Sequence, residues 1–376
     1  MKSIYLDNGA TSFPKPDCVT EAVVEVLTKK GGNPGRGSHR LSLEASRVVF
    51  NARESLAKLL NISDSSRIAF TKNATEAINI ALKGLLKEGD HVITSAFEHN
   101  SVAKTLFRLE EQGVDITKIK GSERADLITV KDVEAAITDK TKLVTIVHAS
   151  NVFGTIQPIA EIAKFCRSKN IIFMTDAAQT VGAVPVDIKE LDPDILVGTG
   201  HKSLFGPQGT GFIYLRRGIE PWPLVDGGTG ELEDVLEVPE RLESGTMNTP
   251  GIGGLGAGVD FVITEGIEKI RTREVALLKR LICGVQGIEG TTILGSTKAE
   301  ERVSILCFTL KGITPTEVGL ILDRDYSIMI RCGTHCAPEA HATANTHPLG
   351  AIRVCPGYFT TEGEVDLFLK AIREIA

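Results

Sequence analysis

Short apolar runs of strand length alternate with stretches of helical period through the middle of this chain, and that alternation narrows the possible folds more than any other feature. The runs are "RIAFT" at 67–71, "HVITSA" from 91, "KLVTIVHAS" from 142, "IIFMTDA" from 171 and "DILVGTG" from 194. Strands this apolar need cover on both faces, so the pattern predicts an α/β fold: a mostly parallel sheet clothed by helices. Between the first two runs, "NATEAINIALKGLLKEGD" places apolar residues at 77, 78, 80, 81, 82, 85 and 86. That spacing is an amphipathic helix beginning near Thr75, directly after a strand end. Residues 226–258 shift to glycine and acids and read as a long connection. A helix over roughly 259–285 then leads into a C-terminal α+β unit with strands near "VSILCFTL" and "AIRVC". At 376 residues the chain exceeds the length at which one core usually stops growing, so a large and a smaller domain are expected.

Charge and hydropathy remove several partner classes. A formal net charge of -6 argues against nucleic acid and anionic membranes, which need a basic surface. No apolar run approaches the roughly 20 residues of a membrane helix. "MKSIYLDNGATS" also lacks the apolar core of a signal peptide, so a cytoplasmic location is expected. Small molecules and other proteins remain as partners.

The strongest chemical signal is "TGHKSLFGPQGTGFIYL", residues 199–215. It sets Lys202 just past a buried strand, where partial desolvation lowers an amine's pKa and makes it nucleophilic. A lone loop lysine is ordinarily a solvated charge, and a lone acid at a strand end, such as Asp176, is ordinarily a helix cap. Together they read differently, because strand ends on one edge of a parallel sheet converge on one crevice. A lysine and an acid there are what pyridoxal 5'-phosphate requires: an amine to carry it and a carboxylate to keep its ring nitrogen protonated. Its phosphate would sit at a helix N-terminus, and "NATEAIN" supplies one with Ala74 and Thr75 at the turn.

The ordered segments "YLDNGATS", "NATEAIN", "EHNS", "ASNVFGT", "DAAQTVG", "GHKSLFGPQGTGFIYL", "ESGTMNTPGIGGL" and "RCGTHCAP" resemble the class V aminotransferase group. The closest likeness is to the cysteine desulfurase and selenocysteine lyase family, in its second group. The resemblance implies a fold type I pyridoxal phosphate enzyme with a mixed seven-stranded sheet in a large domain, 15–255. It implies a smaller α+β domain from 1–14 with 256–376, and a homodimer. By the same resemblance Lys202 carries the cofactor, Asp176 meets the ring nitrogen, Gln179 bonds the ring hydroxyl, and His99 stacks on the ring and moves protons. Thr75, Thr199 and His201 resemble phosphate ligands, and Thr246 the threonine that reaches the neighbouring subunit's phosphate. Asn151 resembles the residue beside ring and substrate carboxylate. Arg353 resembles the arginine that clamps this carboxylate, a role its planar fork suits.

"IRCGTHCAP", 330–338, poses a separate question in a chain with seven cysteines. The second group carries its sulfur-accepting cysteine in a short "R-x-G-x-H-C-A" loop, which "RCGTHCA" matches with Arg331 at its start, on the substrate side, and Cys336 as nucleophile. The implied reaction converts L-cysteine to L-alanine and leaves sulfur on Cys336 as a persulfide for an acceptor protein, as in iron–sulfur cluster assembly. The alternatives are selenocysteine lyase activity, and an aminotransferase or epimerase of the same fold without persulfide chemistry. A Cys332–Cys336 disulfide is not expected in a reducing compartment. Cys332, Cys336, His341, His347 and Cys355 lack any strong zinc spacing, so no metal is expected. His341 and His347 are instead expected at the entrance, and Cys332 is left without a role. The span from Gly228 to Gly245 is shorter than the hairpin that many second-group enzymes extend over their partner.

Overall fold

The computed structural model describes residues 3–35, 37–121, 124–227 and 237–376. A short strand β1 (Ile4–Tyr5) and helices α1 (Asp17–Lys29) and α2 (Arg40–Leu59) come first. Then follow β2 (Ile68–Thr71), α3 (Ala74–Leu85), β3 (His91–Ser95), α4 (Asn100–Glu110), β4 (Asp115–Ile119), α5 (Val130–Ala136) and β5 (Thr141–Thr145). After α6 (Ile159–Ser168), β6 (Ile172–Asp176), α7 (Ile188–Leu191) and β7 (Ile195–Thr199), strand β8 (Gly211–Leu215) completes the set.

Strands β2 to β8 form the mixed seven-stranded sheet that the family resemblance implies, in the order β2-β8-β7-β6-β5-β3-β4. β8 runs antiparallel to both its neighbours, and the other pairings are parallel. Both faces are dry. Leu196, Phe212 and Tyr214 enter the apolar layer on one side, and Ile195, Val197, Ile213 and Leu215 the layer on the other. Strand β4 escaped the sequence reading because it lies at the sheet edge, with Asp115 and Lys118 exposed, and so carries no apolar run.

The segment after β8 departs further from expectation. In place of a connection to 258 and one helix over 259–285, the chain forms α8 (Thr249–Glu265) and α9 (Ile267–Gln286), broken at Gly266 with φ +83°. The glycines of α8 weaken a helix by propensity, yet they permit close approach to α1 and α2. A Cβ at Gly253 would lie 2.9 Å from Val26 Cγ2, and one at Gly256 3.0 Å from Ala52 Cβ. Packing therefore stabilises a helix that composition alone disfavours.

The remaining elements are β9 (Thr291–Leu294), β10 (Leu306–Leu310), α10 (Pro315–Tyr326), β11 (Ile328–Met329), β12 (Arg331–Gly333), α11 (Pro338–Thr343), β13 (Ala351–Val354) and α12 (Glu362–Ile375). Four of the strands make an antiparallel sheet in the order β12-β13-β10-β9. A separate apolar core beneath it gathers Phe308, Leu322, Val354 and Phe368 with Ile4 and Leu6 from the N-terminus, where β1 pairs with β11. Among the described residues, no helix is long and apolar enough to cross a membrane.

Candidate active site

Strands β3 and β5 are adjacent, but the chain leaves β3 towards β4 on one side and β5 towards β6 on the other. Such a switch point opens a crevice beyond the C-terminal strand ends. His99 lies just beyond β3, Asn151 beyond β5, Asp176 ends β6, and Thr199 ends β7 with Lys202 three residues on. A cavity of about 190 Å³ occupies the crevice, and its walls include Ala74, Thr75, His99, Asn151, Asp176, Gln179, Thr199, His201, Lys202, Arg331 and Arg353. The structure thus brings together eleven of the thirteen residues singled out in the sequence. Thr246 is exposed and lines a different cavity of about 170 Å³, with Leu224, Val225 and Met247. Cys336 stands outside the walls but touches Arg331, which is one of them.

The Lys202 loop is tied at several points. Gly206 N–H donates to the Gly200 carbonyl (2.8 Å), and Phe205 N–H to that of Lys202 itself (2.9 Å). Thr11 Oγ1 donates to the His201 carbonyl at 3.0 Å and Lys15 Nζ at 3.2 Å, so the N-terminal segment holds the loop from outside. Desolvation pushes the Lys202 amine down to about 8; Asp176 opposes this fall, while Arg353 and Arg331 reinforce it. Burial pushes the Asp176 carboxyl up, against the Ala178 N–H (2.9 Å) and the Lys202 charge. A cation placed against Asp176 would favour its ionised form.

His99 caps α4, its Nδ1 accepting the Ser101 N–H at 3.1 Å. Burial, with Lys202, Arg331 and Arg353, pushes the imidazole down to about 4. A neutral ring whose Nδ1 accepts a backbone proton carries its own hydrogen on Nε2.

Two observations test whether the cavity suits an anionic, ring-bearing cofactor. The Asn73 side chain accepts the Glu76 N–H (2.9 Å), which leaves the Ala74 and Thr75 amides at the start of α3 unclaimed within the helix, and both residues line the cavity. His201 Nδ1 is buried with no partner among the described residues. A phosphate at α3 would satisfy the amides, and the Asp176 carboxylate suits a protonated ring nitrogen, so the residues fit pyridoxal phosphate.

Arg353 is almost wholly buried. It donates from Nη2 to Asp7 Oδ1 (2.8 Å) and from Nη1 to the Asn151 carbonyl (3.2 Å), while its Nε has no partner among the described residues. Asp7 was not singled out in the sequence, nor were Gly9 and Ala10, which also line the cavity. Gly9 offers its carbonyl to Gln179 Nε2 at 3.0 Å. The quoted segment "YLDNGATS" was the available signal, but nothing local tells which of its residues faces the crevice.

The cysteine loop separates its two sulfurs. Side chains alternate along β12, so Arg331 joins the cavity while Cys332 turns towards α10, where a Cβ on Gly319 would lie 3.0 Å from its sulfur. Desolvation pushes the Cys332 thiol up to about 12, as expected of a packing residue. His335 and Cys336 take φ of +51° and +59°, and Cys336 Sγ lies 3.0 Å from Arg331 Nη2. All seven cysteines are free, and among the described residues no cluster of His, Cys, Asp and Glu is arranged to hold a metal. The expectation that His341 and His347 line the entrance is corrected: His341 is fully buried behind His335, and His347 is exposed without joining the cavity walls. The expected shortening between Gly228 and Gly245 falls largely on 228–236, outside the described residues.

Comparison with known proteins places these features in context. The family model "Aminotransferase class-V" matches residues 4–368. A "Probable cysteine desulfurase" of Methanothermobacter thermautotrophicus is 35% identical, with 99% of this chain and 94% of the relative covered. "Cysteine desulfurase IscS" of Vibrio vulnificus is 36% identical, covering 98% and 92% respectively. Among solved structures, the apo cysteine desulfurase from Thermococcus onnurineus NA1 superposes with a TM-score of 0.92 at 33% identity, over 100% of this chain and 94% of the other.

Proposed function

The chain belongs to the class-V aminotransferase family, beside cysteine desulfurases that it matches along nearly its whole length, and from this we propose that it is a pyridoxal-phosphate-dependent cysteine desulfurase. It takes sulfur from L-cysteine, releases L-alanine, and holds the sulfur on Cys336 for an acceptor protein. The observation that carries this reading is one cavity joining Lys202, Asp176, His99 and Arg353, with a cysteine touching its arginine rim.

Pyridoxal phosphate, when bound, supplies an acceptor for the electron pair released at the substrate α-carbon. Ala74, Thr75, Thr199 and His201 would hold its phosphate, Asp176 its ring nitrogen, and Gln179 its hydroxyl. Lys202, already pushed down to about 8, releases its proton readily and so serves as the base at the α-carbon. Arg353, fixed by Asp7 and Asn151, presents its unpaired Nε edge to the substrate carboxylate. His99 returns protons from Nε2. The Cys336 thiolate attacks the substrate sulfur: an S–S bond forms as the Cβ–S bond breaks, and the carbon keeps that electron pair and takes a proton. Arg331 Nη2, 3.0 Å from Cys336 Sγ, holds the sulfur at the edge of the cavity.

The proposal extends to a homodimer, in which exposed Thr246 serves the partner's phosphate, and to a cytoplasmic location. The division into 15–255 and 1–14 with 256–376 belongs to the same proposal. Turnover of L-cysteine and L-selenocysteine by wild type and Cys336→Ser, with visible spectra before and after borohydride, tests it. The expected result is a yellow protein whose variant loses L-cysteine turnover by about a hundredfold or more. A colourless protein, or a variant as active as wild type on L-cysteine, would overturn the cofactor or the nucleophile respectively. Turnover confined to selenocysteine would instead assign a lyase.

A further inference from the structure

We propose that His341 is a positioning residue for the sulfur-accepting loop, acting through His335; the proposal rests on the reading of Cys336 as nucleophile. His341 lies outside the "RCGTHCA" segment and is fully buried, and its ring meets that of His335 with centroids 5.3 Å apart.

The hydrogen bonds around the pair leave one assignment of protons. His335 Nε2 lies 3.2 Å from the Arg331 carbonyl oxygen, which only accepts, so Nε2 carries hydrogen. Desolvation, then the nearby Arg353 charge, keeps His335 neutral, with its pKa pushed down to about 2. Nδ1 of His335 is therefore an acceptor, and His341 Nε2, 3.1 Å away, donates to it. Burial, then the His347 charge, keeps His341 neutral, pushed down to about 4, so its Nδ1 accepts from Thr346 Oγ1 at 2.8 Å, a closer contact than that hydroxyl's 3.3 Å approach to the His341 carbonyl. The direction runs Thr346 to His341 to His335 to the Arg331 carbonyl. A chain that ends on a carbonyl has no route for delivering a proton to the thiol. Its effect is mechanical: it fixes the span from Arg331 to His335.

Both ends of that span meet the site. The Arg331 guanidinium touches Cys336 Sγ, and the His335 carbonyl accepts Asn151 Nδ2 at 2.6 Å. His335 and Cys336 also hold left-handed backbone angles, which L-residues keep only when their surroundings impose them. Removing the His341 donor leaves the buried His335 Nδ1 without its partner, and the loop relieves this by moving.

The test measures the rate at which iodoacetamide labels Cys336, read by peptide mass spectrometry, beside kcat and KM for L-cysteine. His341→Leu is expected to change the labelling rate at least about fivefold and lower kcat about tenfold, with KM within about threefold. His341→Gln, whose amide can donate to His335 and accept from Thr346, should stay within about threefold of wild type in all three. Thr346→Val, nearly isosteric, should shift labelling in the same direction by less, and decides the matter if the leucine variant does not fold. Wild-type labelling in His341→Leu, equal losses in the glutamine and leucine variants, or no shift in Thr346→Val would overturn the proposal. Labelling requires no turnover. An active Cys336→Ser together with the labelling shift would overturn the nucleophile reading while leaving the positioning intact.

Discussion

Gly258 sits inside α8, where helix propensity alone says that alanine should stabilise the protein by up to about 1 kcal/mol. The structure predicts the reverse. A Cβ there would lie more than about 1 Å inside ordinary contact with the Leu204 carbonyl oxygen, 3.1 Å from Gly206 N and 3.2 Å from Phe205 C. These are backbone atoms of the loop that begins at Lys202, and the bond from Gly206 N–H to the Gly200 carbonyl prevents them from yielding alone. Overpacking of this kind typically costs about 1–3 kcal/mol, which cancels or exceeds the propensity gain. The displacement passes to Lys202, and a misplacement of about 1 Å near the chemistry can cost about a hundredfold in rate. Urea denaturation of Gly258→Ala should show a midpoint no higher than wild type, and kcat/KM for L-cysteine should fall about ten- to a hundredfold. Gly363→Ala serves as control: it lies in α12 with nothing within 4 Å of the new Cβ, and should leave activity unchanged. A Gly258→Ala enzyme that is both more stable and fully active would refute the inference that α8 sets the lysine loop.

Four further outcomes follow from the site. Arg353→Lys replaces a fork held by Asp7 and Asn151 with a point charge, and should raise KM for L-cysteine about ten- to a hundredfold with a smaller effect on kcat. In apo protein the rate of pyridoxal phosphate uptake should rise about tenfold per pH unit up to about 8 and then level off, since Lys202 must be neutral to react; a rise continuing to about pH 10 would mark an ordinary lysine. The same shift makes stability increase with pH between about 8 and 10.5, where the unfolded amine still holds the proton that the folded one has lost. Cys332→Ser should transfer sulfur at the wild-type rate, as measured by labelled persulfide passed to an acceptor, because its side chain faces α10 and not the cavity.

The acid and the lysine were readable because each stands at or just past the end of an apolar run, and the ends of parallel strands meet whatever the intervening helices do. Asp7 was not readable in the same way. Its partner Arg353 lies 346 positions away, and the pair exists only because β1 joins the C-terminal unit beside β11. His341 failed differently: histidine in a polar segment reads as surface, and only the apposed His335 and Thr346 show that its polar atoms are satisfied inside.

Local period and local chemistry thus determined the α/β class, a mostly parallel sheet, the Lys202–Asp176 pairing and the helix start that suits a phosphate, while the count of seven strands came with the family resemblance. Each of these depends on residues within a few positions of one another, or on the rule that parallel strands end on one edge. Tertiary structure alone decided that the glycine-rich residues 249–258 are helical, that Cys332 and Cys336 face different neighbours, and that Arg353 is held by Asp7. Those outcomes depend on distances between surfaces far apart in the chain. A side chain's burial, and the closeness with which two backbones meet, arise only once the layers are assembled.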